Sequence, residues 1–223
     1  VDRSFFPASL AAVPKLVEQV LTSWKNKGNS VKEMQILAPM YKTVAGVNHL
    51  NQLAQEIYNP AAPKKREIRV KYGDIDFKLR IGDKVMQKTN DPEHNVFNGD
   101  IGYVQTILYD KDKENTEKKD TISVAFDSGE VSYTRQDFNQ LTLAYATTIH
   151  KAQGAEFKLV IMPLVNAFSR MLQRNLLYTG LTRASESLVL LGDVAAYERA
   201  AMTEGVNRRT TLQERLRAED GTS

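Results

Sequence analysis

Apolar strand segments alternate with amphipathic helix segments at both ends of this sequence, and this alternation constrains the fold more than any other feature. In the first 60 residues the apolar spacing predicts a helix over 10–24, a strand over 34–39 and a helix from Val47 to just before Pro60. The C-terminal part predicts the strands "LTLAYA", "FKLVIMPLV" and "SLVLLGD", with helices at "SRMLQRNLLYTGLTRA" and from about Val194. Such alternation is typical of a parallel sheet covered on both faces, so we predict the α/β class.

The residues between these two ends follow a different pattern. From about residue 61 to residue 140, turn residues separate short alternating strands in "IRVKYGD", "FKLRIGDKVMQKT", "NVFNGDIGYVQTILYD" and "DTISVAFDSGEVSYT". We therefore predict a small antiparallel β barrel over 61–140, inserted into an α/β domain of residues 1–60 and 141–223. The charge-dense run "YDKDKENTEKKDT" predicts an exposed hairpin loop inside the insertion.

Composition excludes several kinds of site and partner. The 223 residues include no cysteine and only three histidines, which lack ligand spacing, so we expect neither a thiolate nucleophile nor a metal site. The net charge is +3 and the sequence has no polybasic tail, so nucleic acid would have to bind in a local groove. No apolar run is long enough for a membrane span and no signal peptide is recognisable, so we expect a cytoplasmic protein without a membrane partner. The first residue is Val1 and not methionine, which is expected of a piece of a longer protein but equally of a tag-removal scar or of processing.

The stretch "ATTIHKAQGAEFKLVIMPLV", residues 146–165, places polar residues directly before an apolar strand. Thr147 or Thr148 is expected to cap a short helix that runs through Gln153. The free N–H groups at the N-terminus of this helix would suit a phosphate. Gly154 would let the backbone approach an oxyanion closely, and Glu156 is placed to accept hydrogen bonds from a ribose. An ordinary capped turn with a surface His-Lys pair explains the same residues, and spacing alone favours that explanation.

Two further features have both a functional and a purely structural interpretation. Arg183 ends a predicted helix directly before a strand, where it can complement the helix dipole or stabilise charge on phosphoryl oxygens. Asn98 and Gly99 mark a tight turn, and the neighbouring Phe97 and Tyr103 could offer a stacking surface to a base. The basic run "KKREIRVK" is most often a solvated strand edge, with a phosphate track as the less common alternative.

Taken together, four segments resemble one protein family in the right order and spacing. "TIHKAQGAEF" and the later "LLYTGLTRA" resemble motifs V and VI of superfamily-one helicases, and "ILAPMYKTVAGVNHLN" resembles motif IV of their RecD-like branch. "GDKVMQKTNDPEHNVFNGDIGYV" is similar to the start of the SH3-like insertion of that branch, to which the exodeoxyribonuclease V alpha subunit is related. The resemblance covers residues 35–193. It implies a RecA-like motor lobe (2A) with an SH3-like subdomain (2B) from an ATP-dependent 5′ to 3′ DNA helicase of repair or recombination.

This resemblance also implies roles for individual residues. The catalytic residues would be Arg183, as the arginine finger at the γ-phosphate, and Gln153, which couples nucleotide to DNA. The residues implied to bind ATP are Gly154, Glu156, Tyr41 and Lys42. Many relatives have arginine at the position of Lys42, and lysine keeps the charge without the bidentate fork. The residues implied to contact single-stranded DNA are Thr147, Thr148, His150 and Lys151, with Phe97 and Asn98 of the insertion as further candidates.

The sequence lacks the other half of a helicase ATP site. No GxxxxGK[ST] phosphate loop is present, and the magnesium ligands of a Walker B pair belong to the same absent N-terminal lobe. We therefore expect ATP and Mg²⁺ to be cofactors of the full-length protein, with the missing lobe, single-stranded DNA and other recombination or repair proteins as partners. The alternatives are a non-catalytic module that binds nucleic acid or protein, and a helicase of another superfamily-one branch.

Overall fold

The apolar runs at the two ends of the chain come together in one parallel sheet. The computed structural model describes residues 1–152, 154–164 and 170–203. The chain divides into two compact units, namely unit 1 (Val1–Leu53 and Ala146–Ser223) and unit 2 (Ala54–Tyr145). The domain limits predicted at residues 60/61 and 140/141 remain a prediction.

The described elements follow in chain order. The strands are β1 (Asp2–Pro7), β2 (Met34–Leu37), β3 (Glu67–Tyr72), β4 (Ile75–Arg80), β5 (Lys84–Gln87), β6 (Ile101–Leu108), β7 (Thr121–Phe126), β8 (Gly129–Thr134), β9 (Leu141–Leu143), β10 (Ala146–Thr147), β11 (Phe157–Leu164) and β12 (Ala184–Gly192). The α-helices are α1 (Val13–Asn26), α2 (Val47–Tyr58), α3 (Arg170–Arg183) and α4 (Val194–Thr203).

Unit 1 is built on a five-stranded parallel sheet with the order β1-β12-β11-β2-β10. β11 and β12 are nearly continuous apolar runs because helices cover the sheet. α1 buries Val13, Val17 and Leu21 and contacts β12, while α3 contacts both β11 and β12. α3 lies so close to the sheet that a Cβ added to Gly180 would be 2.1 Å from Sδ of Met162. The predicted α/β class is confirmed.

Both helices predicted from the apolar spacing of the N-terminal part are present. The first begins later than predicted, because Leu10–Ala12 form a 3-10 turn and α1 starts at Val13. Pro14 is tolerated in the first helical turn, where its missing N–H would have no partner inside the helix. Gly28 follows α1 with a φ of +80°, which favours glycine and helps to end the helix. The second predicted helix is confirmed as α2, which ends before Pro60.

Unit 2 is antiparallel. Its main sheet has the order β8-β7-β6-β5-β9, and β3 and β4 form a separate hairpin. The predicted small antiparallel insertion is thus confirmed. Residues 109–120 connect β6 to β7 as a hairpin loop, as predicted. The buried amide of Asn115 organises this loop by donating to the carbonyl oxygens of Tyr109 (2.9 Å) and Lys119 (2.6 Å).

The prediction of a single strand for "LTLAYA" in the α/β sheet is wrong. Leu141–Leu143 forms β9, which pairs antiparallel with β5 in unit 2. Only Ala146–Thr147 joins the parallel sheet, as β10 beside β2. The residues between these strands are held to unit 2, since Ala144 N–H donates to the carbonyl oxygen of Lys84 (2.9 Å). The run is divided because its two halves hydrogen-bond to different sheets.

A buried carboxylate joins the beginning and the end of unit 2. Oδ1 of Asp83 accepts hydrogen bonds from Nδ2 of Asn59 (2.8 Å) and the hydroxyl of Tyr145 (2.7 Å). Its Oδ2 accepts from Nε2 of Gln55 (2.7 Å) and the backbone N–H of Arg80 (2.7 Å). Burial raises the pKa of Asp83, while the four donors act in the opposite direction. Asp83 therefore holds the residues where the chain enters and leaves unit 2.

Candidate functional site

The stretch that sequence analysis singles out runs from one edge of the parallel sheet to the other. Thr147 of β10 lies opposite Leu37 at the end of β2, whereas Leu159 of β11 lies opposite Met34 at its start. Residues 148–156 therefore return from the carboxyl edge of the sheet to its amino edge. Predicted site residues at the two ends of this stretch consequently lie at opposite edges.

The short helix predicted after Thr147 is wrong over the described residues 148–152. These residues form turns, with Lys151 N–H bonded to the carbonyl oxygen of Thr148 (3.2 Å) and Ala155 N–H to that of Ala152 (3.3 Å). Gly154 has a φ of +85°, a conformation that suits a turn and stops a helix from continuing. No helix N-terminus is therefore available for a phosphate at this point. Gln153, the predicted coupling residue, lies outside the described residues.

Arg183 is the last residue of α3 and directly precedes β12, so it lies at the amino edge of the sheet. Its Nη1 donates to the carbonyl oxygen of Ala155 at 3.2 Å. This bond brings the guanidinium to the segment Gly154–Glu156, although 28 residues separate Arg183 from Ala155. We name Gly154, Ala155, Glu156 and Arg183 the amino-edge cluster.

The guanidinium of Arg183 differs from those of unit 2 in its surroundings. Nε of Arg183 is buried, and the described residues offer it no hydrogen-bond acceptor. No carboxylate within the described ranges forms a salt bridge with this side chain, which is half-buried. By contrast, all four arginines of unit 2 have acidic partners, in the pairs Arg66–Asp112, Arg69–Asp76, Arg80–Glu56 and Arg135–Asp120. Arg183 thus retains donors that a further acceptor can occupy.

The rest of the amino-edge cluster is open to solvent. Gly154 and Glu156 are exposed, and a Cβ added to Gly154 would meet no atom within 4 Å. The backbone conformation, rather than lack of space, explains the glycine. The backbone at Gly154 and the carboxylate of Glu156 are therefore accessible to a ligand, next to the Ala155 carbonyl that holds the Arg183 guanidinium.

The residues predicted for the nucleic-acid contact follow β10 at the carboxyl edge. His150 is exposed and Thr148 and Lys151 are half-buried, so their side chains reach the surface. Thr147 differs because it is only 4% exposed, and its Oγ1 has no hydrogen-bond partner among the described residues. Thr148, His150 and Lys151 are thus accessible at the surface, whereas Thr147 is buried.

Tyr41 and Lys42 lie in the loop over residues 38–46, which joins the carboxyl end of β2 to α2. Both are exposed. They lie at the same edge of the sheet as Thr148 and His150, whereas Arg183 lies at the amino edge. The structure therefore does not bring Tyr41 and Lys42 together with the amino-edge cluster.

Asn51 is a site residue that sequence reasoning missed. Its side chain, on the buried face of α2, donates to the carbonyl oxygen of Ala146 (3.0 Å) and accepts from its N–H (2.8 Å). The amide thus replaces a strand partner at the open edge of β10 and fixes β10 against α2. The sequence does not indicate this role, because apolar spacing shows on which face of the helix Asn51 lies but not which residue it contacts.

The turn predicted at Asn98 is confirmed. Asp100 N–H donates to the carbonyl oxygen of Phe97 (3.0 Å), and Gly99 has a φ of +101°. Phe97 is 44% exposed, while Tyr103 of β6 is largely buried, which raises its pKa to about 12. Phe97 therefore presents more of its ring to a partner than Tyr103 does.

No group of three or more His, Cys, Asp or Glu that could hold a metal ion occurs in the described part of the chain. None of the helices within the same residues has the length and apolar character that a membrane crossing needs.

Comparison with known protein families gives two matches. Residues 50–126 match the model of the ATP-dependent RecD-like DNA helicase SH3 domain, and residues 143–191 match that of the UvrD-like helicase C-terminal domain. The first match covers most of unit 2, and the second contains β10, β11, α3 and most of β12.

Individual relatives are longer than this chain. The ATP-dependent RecD2 DNA helicase of Deinococcus radiodurans is 36% identical over 83% of the chain and 24% of its own length. The RecBCD enzyme subunit RecD of Buchnera aphidicola subsp. Schizaphis graminum is 29% identical over 78% of the chain and 26% of its own length. A solved structure of Pif1 helicases at forked double-stranded DNA has 23% identity and a TM-score of 0.47, covering 84% of the chain and 48% of that structure's chain. The chain spans about a quarter of the length of the two curated relatives.

Proposed function

Because this chain belongs to the RecD-like superfamily-one helicases and carries their C-terminal region, we propose that it supplies one side of the ATP site and part of the DNA track of a motor. The full-length protein is then an ATP-dependent 5′ to 3′ DNA helicase. Nucleotide binds at the amino-edge cluster, and single-stranded DNA binds at the carboxyl edge of the same sheet. The N-terminal lobe with the phosphate loop is the necessary partner, and further recombination or repair proteins are additional ones.

The environment of Arg183 carries this proposal. A guanidinium that is anchored by one carbonyl and lacks a carboxylate in the described structure keeps its charge available for an incoming anion. An arginine finger needs this arrangement, because its planar fork must stabilise charge that develops on the transferring phosphoryl oxygens. The bond to Ala155 fixes the direction of the side chain before the nucleotide arrives, which lowers the cost of ordering it.

The neighbouring residues have complementary roles in the proposal. The exposed carboxylate of Glu156 accepts hydrogen bonds from the ribose hydroxyls, and the positive φ of Gly154 turns the backbone where the phosphates approach. Gln153 couples nucleotide to DNA in the proposed mechanism. Mg²⁺ would neutralise phosphate charge when bound, and its ligands belong to the N-terminal lobe. The described residues hold the nucleotide from one side only.

At the other edge, the proposal assigns the single strand to the residues after β10. The Thr148 hydroxyl and the His150 and Lys151 side chains are placed to contact backbone phosphates. Thr147 supports this segment from below, since it is buried. The chain from Thr148 to Glu156 connects the proposed DNA contact to the proposed nucleotide contact, so movement at either end can be transmitted along it.

The test uses ATP hydrolysis by the full-length protein in the presence of single-stranded DNA. Arg183→Ala is expected to lower kcat by about 10³-fold or more, the usual effect of losing an arginine finger, while KM for ATP changes little. Arg183→Lys keeps the charge without the fork and is expected to recover only part of the rate. Arg135→Ala, which removes a surface arginine paired with Asp120 in unit 2, is the matched control and should keep the wild-type rate.

Residues 1–223 alone provide the second arm of the test. They are expected to show no ATP turnover, because the phosphate loop is not in this sequence. Clear turnover by this chain that Arg183→Ala abolishes would contradict the half-site. An Arg183→Ala full-length protein as active as the Arg135→Ala control would contradict the arginine finger.

A further inference from the structure

The loop over residues 38–46 lies next to the segment that follows β10. β2 and β10 are adjacent parallel strands, so the segments after them leave the sheet side by side. Ala38 N–H at the start of the loop donates to the carbonyl oxygen of Thr147 at 3.0 Å, which extends the strand pairing by one more bond. Asn51 holds Ala146 from the helix that follows the loop. The two segments are therefore fixed relative to each other from both sides.

The loop itself is held in one conformation by its own backbone. Val47 N–H donates to the carbonyl oxygen of Met40 (2.8 Å) and Asn48 N–H to that of Tyr41 (3.2 Å). A Cβ added to Gly46 would lie 2.7 Å from the same Tyr41 oxygen, so only glycine allows this close return of the chain. These bonds also occupy the first N–H groups of α2, so the helix N-terminus does not serve as the phosphate site.

This backbone presents an aromatic ring and a cation to solvent. Tyr41 is 51% exposed and Lys42 is also exposed. Neither residues 38–46 nor residues 148–152 contain Asp or Glu, so the surface formed by the two segments carries Lys42 and Lys151 without an acidic residue of its own. An aromatic ring beside cations and a hydroxyl is the combination that binds single strands, because the ring stacks on a base while the cations meet phosphates.

Position argues against a nucleotide contact for these two residues. The amino-edge cluster and the loop are separated by the length of β2, whose four residues span about 13 Å. The loop leaves β2 in the direction away from Arg183. The ATP site and this loop would therefore be contacted by different ligands.

We propose that Tyr41 stacks on a base of the bound single strand and that Lys42 contacts a phosphate of the same strand, not the nucleotide. This assignment rests on the proposed function, because it extends the track of Thr148 and His150 across β2. Stacking tolerates every base, so the contact holds the strand without reading its sequence. Asn51 is a positioning residue here, since it fixes the distance between the two segments.

The experiment measures binding of residues 1–223 to a fluorescent single-stranded oligonucleotide across a series of salt concentrations. Tyr41→Ala is expected to weaken binding by about 10-fold, within the range of one stacked base, and to leave the slope of log affinity against log salt unchanged. Tyr41→Phe keeps the ring and should bind as wild type. Lys42→Gln should weaken binding and reduce the slope by about 0.7, the value for one phosphate contact on a single strand. Val44→Ala, at an exposed apolar residue of the same loop, is the matched control.

A base analogue in the oligonucleotide gives a direct view of stacking. 2-Aminopurine fluorescence should be quenched by the wild-type chain and by Tyr41→Phe, and the Tyr41→Ala variant should lose this quenching. If wild type binds in a salt-dependent way and Tyr41→Ala and Lys42→Gln bind equally well, the assignment of the loop is overturned while the track stands. Absence of any binding by wild type would overturn the track and the assignment together. Oligonucleotide binding that does not depend on the Tyr41 ring but requires an added protein would also overturn the assignment.

Discussion

Replacing Asp83 is expected to destabilise unit 2 more than any other single change to its polar groups. Asp83→Ala removes an acceptor from four donors at once, in a site from which water is excluded. Gln55 and Asn59 also donate to backbone carbonyl oxygens and so keep an acceptor. The Tyr145 hydroxyl and the Arg80 backbone N–H are the two donors that lose theirs. Asp83→Asn keeps one acceptor oxygen but places an amide NH₂ group against donors, so its stability is expected to lie between those of wild type and Asp83→Ala.

The magnitude follows from two opposing contributions. Each buried donor left without a partner costs about 1–3 kcal/mol. Removing a desolvated carboxylate returns part of the several kcal/mol that its burial costs, which is the same burial that raises the pKa of Asp83. With two donors left unsatisfied after relaxation, we expect a net loss of about 3 kcal/mol in the free energy of unfolding.

This loss is measured by urea unfolding, which is monitored through hydrogen exchange of the β5 and β9 amides. At a typical denaturant dependence of about 2 kcal/mol per molar, a loss of about 3 kcal/mol moves the midpoint by roughly 1.5 M. Asp76→Asn is the control, because Asp76 is an exposed carboxylate paired with Arg69 in the same unit, and little change is expected. An Asp83→Ala midpoint equal to that of the control would refute the idea that this carboxylate holds the unit together.

Two further predictions concern stability. Burial lowers the pKa of Lys84 to about 7, so folding releases its proton between pH 7 and the unfolded pKa near 10.4, and the stability of the wild type should rise over that interval by up to about 1.4 kcal/mol per pH unit. In urea titrations at pH 6 to 10, Lys84→Met should remove this rise, whereas the exposed control Lys71→Met should keep it. Gly180→Ala should cost roughly 1–3 kcal/mol because its methyl group would overlap Sδ of Met162. In thermal unfolding, Gly180→Ala combined with Met162→Ala should cost less than the sum of the two single variants, and strict additivity would contradict the close packing of α3.

Much of the fold could be predicted from the sequence because apolar spacing reports which face of an element is buried. α2 and the long strands β11 and β12 follow from this spacing alone. The spacing does not report which sheet a strand joins, and "LTLAYA" shows the consequence, since one apolar run serves two sheets. The missing helix after Thr147 has a similar cause: a capping residue allows a helix to begin, but Gly154 and the return to the other edge favour turns.

The candidate site was predictable in its residue types and only partly in its arrangement. The juxtaposition of Arg183 with Ala155 depends on the pairing of β11 with β12, which no local pattern contains. The separation of Tyr41 and Lys42 from Arg183 likewise follows from strand direction, because residues after a parallel strand and residues before one lie at opposite edges. Asp83 and Asn51 gave no signal, since a single polar residue in an apolar pattern is recognisable as a network only when its partners are known.

The two-part composition of unit 1 has a consequence for the order in which the chain folds. β2 can pair with β10 only after residues 54–145 have been synthesised, and closing a loop of roughly 90 flexible residues costs about 4 kcal/mol in chain entropy. Unit 2 has its own sheets, and Asp83 binds both Gln55 and Tyr145 within it. If unit 2 folds first, its two ends are already close, and the parallel sheet then forms across a short gap. With that order of folding, loss of the Asp83 carboxylate should delay the pairing of β2 with β10 as well as weaken unit 2.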